Sequence, residues 1–342
     1  MNEWHGGSSQ RILITGGAGF IGHHVVEYFL KETDWQLTLI DRLDCSGNLN
    51  RLAEVGAAKN SRVRFVFHDL RGAINDQLAS QLGSFDYITH LAAATHVDRS
   101  IESPLGFVLD NVVGTCNLLE FARHTGCGRF LYFSTDEVFG PAPEGLRYVE
   151  EARYKSGNPY AATKAGGEEL SVAYHNTYKL PVLITHTMNV IGYRQHPEKF
   201  VPGTIAKVRD GEKVTIHADK TCTKAGSRFY IDAREVANAV KFLLKNGVIG
   251  EKYNIVGEQE VDNLELAQWI AEAQGEKLDY EMVDFHGSRP GHDLRYALDG
   301  EKMKKIFWFP RRKITQSIED IVDWSLANPH WLTPRKTLRS VA

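Results

Sequence analysis

Apolar residues fall along the chain in two alternating rhythms. Short runs rich in β-branched and aromatic side chains recur as RILIT (Arg11–Thr15), QLTLI (Gln36–Ile40), RVRFVF (Arg62–Phe67), DYITHLA (Asp86–Ala92), RFLYFS (Arg129–Ser134) and PVLITH (Pro181–His186). Runs this short and apolar predict buried strands. Between them, Ile21–Lys31, Leu105–His124 and Pro159–Tyr178 repeat apolar residues at helical spacing. The alternation predicts an α/β fold, a doubly wound parallel sheet with crossover helices. After about Gly192 the segments shorten and mix, with TIAKVRDG, RFYIDAREVANAVKFLLKNG and LELAQWIAEAQG as helix-rich pieces around the short strand YNIV. This change predicts a smaller mixed α/β lobe. The expected division is a flexible tail over 1–10, the wound domain mainly over 11–192, a C-terminal lobe mainly over 193–330 with some segments returning to the first domain, and a tail over 331–342.

Composition narrows the function classes. A chain of 342 residues suffices for one large or two modest domains. Its formal charge of −3, with both signs mixed along the sequence, gives no reason to expect nucleic acid or a membrane as partner. Cys45, Cys116, Cys127 and Cys222 lack the spacing of a zinc site or a disulfide framework, so no metal is expected and a reduced, cytoplasmic setting fits. The opening MNEWHGGSSQ has no apolar core and reads as a tail. No apolar run approaches the roughly 18 residues of a membrane helix.

The first strand runs into T-G-G-A-G-F-I-G, which places Gly16, Gly19 and Gly22 ahead of a helix. Glycines there serve a tight turn, the approach of a pyrophosphate to backbone N–H groups, and close helix–strand packing. Asp41 ends the second strand, where a carboxylate accepts hydrogen bonds from an adenosine ribose and repels a 2′-phosphate. That favours NAD over NADP, although the neighbouring Arg42 could itself receive the phosphate. Asp69 and Leu70 would flank the adenine, and Ala92 and Ala93 would let the backbone approach the cofactor.

Two further clusters carry chemistry. In N-P-Y-A-A-T-K, Pro159 pre-sets a helical turn and the four-residue spacing puts Tyr160 and Lys164 on one face. A phenol with an ordinary pKa of ~10 is a poor base, but an adjacent ammonium and a positive nicotinamide would both favour phenolate. In F-S-T-D-E-V-F-G, Thr135, Asp136 and Glu137 stand where a buried strand ends. Ligand crevices of such sheets lie beyond the carboxyl ends of strands. By spacing alone the trio is either turn and cap chemistry or a hydroxyl with two acids available for proton transfer.

The glycine loop, Y-A-A-T-K and their order resemble the extended short-chain dehydrogenase/reductase superfamily, from about Arg11 to near Trp324. The stretches LAAATHVDRSIESP, NVVGTCNLLE, STDEVFG, HPEKFVP, YNIVG and SRPGHDLRYALD narrow this to a resemblance to nucleotide-sugar 4,6-dehydratases, most closely those acting on dTDP-glucose or UDP-glucose. The resemblance implies a Rossmann-type domain, NAD as cofactor, a nucleotide-diphosphate sugar held by the second lobe, and a homodimer built on helices near Leu105–His124 and Pro159–Tyr178. It places Gly16, Gly19, Phe20, Ile21, Gly22, Asp41, Arg42, Asp69, Leu70, Leu91, Ala92 and Ala93 at the cofactor, together with Tyr160 and Lys164. It makes Tyr160 the base at the sugar's 4-hydroxyl, Thr135 its partner at that oxygen, Glu137 the base at C5 and Asp136 the acid at the departing C6 hydroxyl.

On the substrate side the resemblance implies Thr95, Thr135, Asn189, Lys199, Phe200, Thr215, His217, Arg228, Asn254, Arg289 and His292, with His96, Asp98 and Arg99 bracing the loop and Asn111 behind the site. Arginine's planar fork suits phosphate oxygens. Several positions depart from the dehydratase pattern. Ala94 replaces a polar residue, Val190 stands where a second asparagine is common, Ile191-Gly192-Tyr193 replaces Tyr-Gly-Pro, and Asp219–Ser227 is longer than usual near the expected base pocket, leaving thymidine and uridine both open. A nucleotide-sugar 4-epimerase or a uronate decarboxylase would share Tyr160 and Lys164 without needing the acid pair. A non-catalytic NAD-binding sensor would not need these groups at all.

Overall fold

The structure is a computed structural model and describes residues 9–44, 46–285 and 293–333. Its strands are β1 (Arg11–Thr15), β2 (Gln36–Asp41), β3 (Val63–Phe67), β4 (Phe85–His90), β5 (Cys127–Thr135), β6 (Val182–Thr187), β7 (Val190–Ile191), β8 (Val214–Ala218), β9 (Ser227–Arg228), β10 (Ile231–Asp232), β11 (Lys252–Ile255), β12 (Val261–Asp262) and β13 (Tyr280–Asp284). The helices are α1 (Phe20–Glu32), α2 (Leu49–Glu54), α3 (Asp76–Leu82), α4 (Val97–Glu102), α5 (Pro104–Val108), α6 (Gly114–Thr125), α7 (Pro159–Tyr178), α8 (Phe200–Arg209), α9 (Ala233–Asn246) and α10 (Asn263–Ala273), followed by Glu301–Lys305 and Ile314–Ala327.

All six expected strands form and lie in one parallel sheet ordered β3-β2-β1-β4-β5-β6-β11. Side chains alternate between its two covered faces. Ile12 and Ile14 join Val25 and Phe29 of α1 and Val236 and Val240 of α9, whereas Leu13 turns to Leu118 and Leu119 of α6 and Tyr174 of α7. Burial on both faces is why these strands read as continuous apolar runs rather than alternating ones. YNIV, read from the sequence with the second lobe, is β11: it pairs with β6 at Tyr253 and Thr185 and closes the sheet's edge. The remaining C-terminal segments gather around a separate core in which α8, α10 and Ile314–Ala327 contribute Ile205, Leu266, Ile270, Ile318 and Val322.

The helix expected over Leu105–His124 is interrupted in its hydrogen bonding. A single π-helical turn, Leu109–Val113, joins α5 to α6. Together they form Pro104–Thr125, 22 residues that include an 18-residue window with a mean hydropathy of 1.2, which is long and apolar enough by length and composition to cross a membrane. That corrects the expectation that no stretch approaches such a length. Here its inner side packs against α7 and the sheet through Leu118, Leu119 and Phe121.

A buried charge cluster ties α7 to the sheet edge. Glu168 is fully buried, with its carboxylate 3.1 Å from both His186 Nε2 and Lys252 Nζ. Burial pushes this carboxyl up, yet His186 and Lys252 together hold it below its ordinary value. Such a contribution is present above the carboxylate's unfolded value and is lost as pH falls through the depressed one. Glu168→Ala, which takes the carboxylate partner from the buried His186 and the half-buried Lys252 ammonium, is expected to cost about 3–5 kcal/mol in urea unfolding at neutral pH. The gap between wild type and variant should narrow in acid. An unchanged urea midpoint at neutral pH would contradict this account.

Candidate active site

Strand order reverses between β1 and β4, and there, beyond the carboxyl ends of the strands, lies a cavity of about 570 Å³. The glycine loop forms one wall. Gly16 has φ +70, and a Cβ on it would stand 2.8 Å from Ala92 N. A Cβ on Gly22 would fall 2.0 Å from Gly16 O, so α1 can approach the loop only without one. Gly19 precedes α1 with no side chain capping the helix, which leaves backbone N–H groups available to an anion beside Phe20 and Ile21. This cradle fits a dinucleotide. Asp41 accepts from Ala18 N at 3.0 Å and Leu43 N at 2.8 Å, and it lines the same cavity as Arg42, Asp69 and Leu70.

Leu91, Ala92 and Ala93 form the strap opposite the glycines. Both ends of this strap are tied. Ala92 N donates to Thr15 Oγ1 at 3.2 Å, and Ala94 N donates to Asn111 Oδ1 at 2.8 Å. Asn111 Nδ2 in turn donates to Ala94 O at 3.0 Å and to Thr163 Oγ1 at 2.9 Å. Asn111 sits in the π-helical turn, one of the places where widened helices meet functional sites. Its bonds to the Ala94 backbone are made whatever side chain residue 94 carries.

The chemical groups converge on the far side. Thr135 Oγ1 donates to Asp136 Oδ1 at 3.0 Å, and the threonine draws the Tyr160 phenol downward, against its burial. Asn158 Nδ2 donates to Glu137 Oε2 at 3.0 Å, while its own Oδ1 caps α7 by accepting from Ala161 N at 2.8 Å. Thus one asparagine fixes Glu137 to the helix that carries Tyr160. Burial pushes Asp136 up to about 6. Burial and the nearby Asp136 charge push Glu137 up to about 7. Both therefore titrate close to neutral pH, with Glu137 holding its proton the more tightly. Asp136 Oδ2 is buried without a hydrogen-bond partner, beside the space that a reacting group would enter.

The sequence placed an ammonium beside the phenol as the agent lowering it. The side chains arrange otherwise: Lys164 Nζ donates to Phe133 O at 2.6 Å and stands 4.4 Å from the centroid of the Tyr132 ring. Burial raises the Tyr160 phenol well above its ordinary value, and the Glu137 charge adds to this. Burial likewise lowers Lys164 to about 7.

Substrate-side expectations divide. Thr95, Asn189 and Lys199 line the cavity, and His96 and Arg99 line it nearby. Arg228 does not line it: its guanidinium donates to Ser227 O and Leu294 O and lies 4.6 Å from the Tyr296 ring centroid. Its charge still reaches Asp136 and Glu137 and draws both downward. Phe200 packs into the lobe's apolar cores instead. Thr215 and His217 lie outside the cavity because strand alternation turns Val214, Ile216 and Ala218 inward; Thr215 meets Glu281, and His217 meets Phe285. Asn254 is also corrected. It is fully buried in β11, where its amide meets His186 Nδ1 at 3.0 Å and donates to Tyr148 O and Asp299 O, a structural role. Arg289 and His292 lie outside the described residues. The sequence reading missed Asn158 and Arg51. Asn before Pro-Tyr signals a helix cap, but the Glu137 contact spans 21 residues. Arg51 is buried, lines the cavity and donates to Ala18 O and Ser46 O, which no local pattern announces.

Residues 12–256 match the family model described as the NAD dependent epimerase/dehydratase family. The chain is 39% identical over 335 residues to a dTDP-glucose 4,6-dehydratase from Streptomyces niveus, covering 96% of each. It is 34% identical to one from Escherichia coli, covering 94% of each. Among solved structures it superposes with a TM-score of 0.86 on DesIV, a dTDP-glucose 4,6-dehydratase from Streptomyces venezuelae solved with NAD bound, at 36% identity over 94% of this chain and 98% of that one. With the glycine cradle, the tyrosine–lysine helix and matches spanning nearly the whole length, the chain belongs to the NAD-dependent epimerase/dehydratase family of extended short-chain dehydrogenases/reductases.

Proposed function

We infer that the protein is an NAD-dependent 4,6-dehydratase that converts dTDP-glucose to its 4-keto-6-deoxy derivative. The observation that carries this reading is the carboxyl pair, buried Asp136 and half-buried Glu137, gathered in one cavity with Thr135 and Tyr160. An epimerase or a decarboxylase needs the phenol but no second acid for loss of water at C6. NAD, held by the glycine cradle and Asp41, would supply reversible hydride acceptance, taking the hydride of C4 and giving it back at C6 after water is lost, while C5 regains a proton. Tyr160 takes the proton of the 4-hydroxyl, and Thr135 holds that oxygen. The bound nicotinamide's positive charge favours the phenolate that burial alone opposes. A ketone at C4 acidifies C5–H. Glu137, oriented by Asn158, removes that proton, and Asp136 delivers one to the departing C6 hydroxyl. Lys199, which lines the cavity, is the cation proposed to draw the diphosphate to the second lobe.

The exposed apolar side chains Leu105, Val108 and Leu109, with Tyr178 on α7, support the proposed homodimer. The unpaired thiols of Cys116, Cys127 and Cys222 suit the proposed cytoplasmic setting.

The deciding assay incubates the protein with dTDP-glucose and UDP-glucose and reads the alkali-induced absorbance of a 4-keto sugar. Interconversion of glucose and galactose nucleotides without that signal would overturn the reading. Tyr160→Phe should lower kcat by ~10²–10⁴, the usual yield of one positioned proton-transfer group. kcat/KM should follow a bell with limbs near 6 and 7; because Glu137 holds its proton more tightly than Asp136, the productive form, with Glu137 bare and Asp136 protonated, is the minor of the two singly protonated forms. The acid limb arises as the base becomes protonated and the alkaline limb as the acid loses its proton. Glu137→Gln should remove the acid limb and Asp136→Asn the alkaline one. In sedimentation, Leu105→Glu with Leu109→Glu should shift a dimer to monomer.

A further inference from the structure

Arg42 is the cation nearest the proposed ribose partner Asp41, and its surroundings determine what it can bind. Its Nε donates to Asp44 Oδ2 at 2.9 Å, and Nη2 donates to Asp44 Oδ2 at 2.6 Å and Asp110 Oδ2 at 2.8 Å. Nη1 donates to Asp110 Oδ1, and Asp69 Oδ1 stands 3.5 Å from the same nitrogen. Four of the guanidinium's five N–H groups are thereby engaged by carboxylates. Two other guanidiniums line the cavity at this end: Arg71, whose Nε donates to Asp69 at 2.8 Å, and the buried Arg51, whose Nη1 donates to Ala18 O at 3.2 Å and Ser46 O at 2.6 Å. Four carboxylates, Asp41, Asp44, Asp69 and Asp110, thus face three guanidiniums. Asp110 is the least exposed partner in these ion pairs, at 12% against 38% for Asp44. It comes from the π-helical turn, far in sequence from the strand end where cofactor preference is usually read.

We propose that Asp44 and Asp110 are selectivity residues of the adenosine end: by occupying Arg42 they withhold the guanidinium next to Asp41 from a 2′-phosphate, and so hold the site to NAD. A 2′-phosphate placed beside Asp41 would meet net negative charge and no free fork. Removing the two carboxylates frees Arg42 in a position from which it can pair bidentately with that phosphate. The inference rests on the proposed placement of the ribose at Asp41.

The test measures binding to the apoprotein, by calorimetry with NAD⁺ and NADP⁺ and with the fragments 5′-AMP and 2′,5′-ADP. Asp44→Asn with Asp110→Asn should lower the NADP⁺-to-NAD⁺ ratio of Kd values by about tenfold or more, the yield of a charge-assisted contact to phosphate. Adding Arg42→Ala to that variant should abolish the gain. No gain, or a gain that survives Arg42→Ala, overturns the proposal. Asp41→Asn in the wild-type background separates the two failures. If it leaves NAD⁺ affinity unchanged, the ribose placement itself falls; if it weakens NAD⁺ while the double variant leaves the ratio fixed, only the selectivity proposal falls. Should Asp110→Asn unfold the protein by circular dichroism, Asp44→Asn alone is expected to give part of the gain, and its absence overturns the proposal equally.

Discussion

Exclusion of water at the end of β5 is the constraint on which the chemistry depends. Asp136, Tyr160 and Lys164 are each less than a tenth exposed, and Glu137 lies beside them. Withdrawn from water, each group is pushed toward its neutral form: the carboxyls and the phenol rise, and the ammonium falls. A carboxyl pair at ordinary values would be fully ionised at neutral pH and have no proton to give. Burial supplies one acid and one base from two side chains that differ by a single methylene. The same burial works against Tyr160, which needs a positive partner that the protein's own side chains do not place beside it.

Holding these groups in register falls to backbone contacts made by side chains that do no chemistry themselves. Asn158 joins Glu137 to the first turn of α7, and Asn111 grips both polar groups of Ala94 from a widened helical turn. Thr15 holds the other end of the strap, and it also meets His90 Nδ1 at 2.7 Å. Burial pushes His90 down to about 3, so this ring stays neutral and serves as a hydrogen-bonding spacer between Thr15 and Thr115. The cradle and the reacting cluster thereby share one set of supports.

Much of this was legible in the sequence because its signals are local. A strand, three glycines and a helix specify a turn whose geometry tolerates no Cβ, and Gly16 and Gly22 occupy the positions where one would collide. Pro159 to Tyr178 formed with the expected bounds because a proline, an asparagine cap and regular apolar spacing all agree. What the sequence did not disclose depends on pairing between distant segments. Asn254 reads as a polar residue available to a ligand until β11 is placed against β6, where its amide is consumed by His186 and two carbonyls. Thr215 and His217 depend on which face of β8 packs inward, a choice set by α8 and α10 rather than by the strand itself. Arg42, adjacent to Asp41 in sequence, reads as a free cation until a helix 68 residues later delivers Asp110.

The return of β11 to the main sheet has a bearing on how the chain can be divided. Cleaving after the first six strands would not release an independent nucleotide-binding unit. It would strip β6 of its neighbour and α1 of the packing supplied by α9, baring a row of N–H and C=O groups next to an uncovered apolar layer. An unpaired strand of this kind templates association with other chains. Truncates ending near Gly192 are therefore poor material for isolating the cofactor half, and the two lobes are more properly regarded as interwoven than as modules joined by a tether.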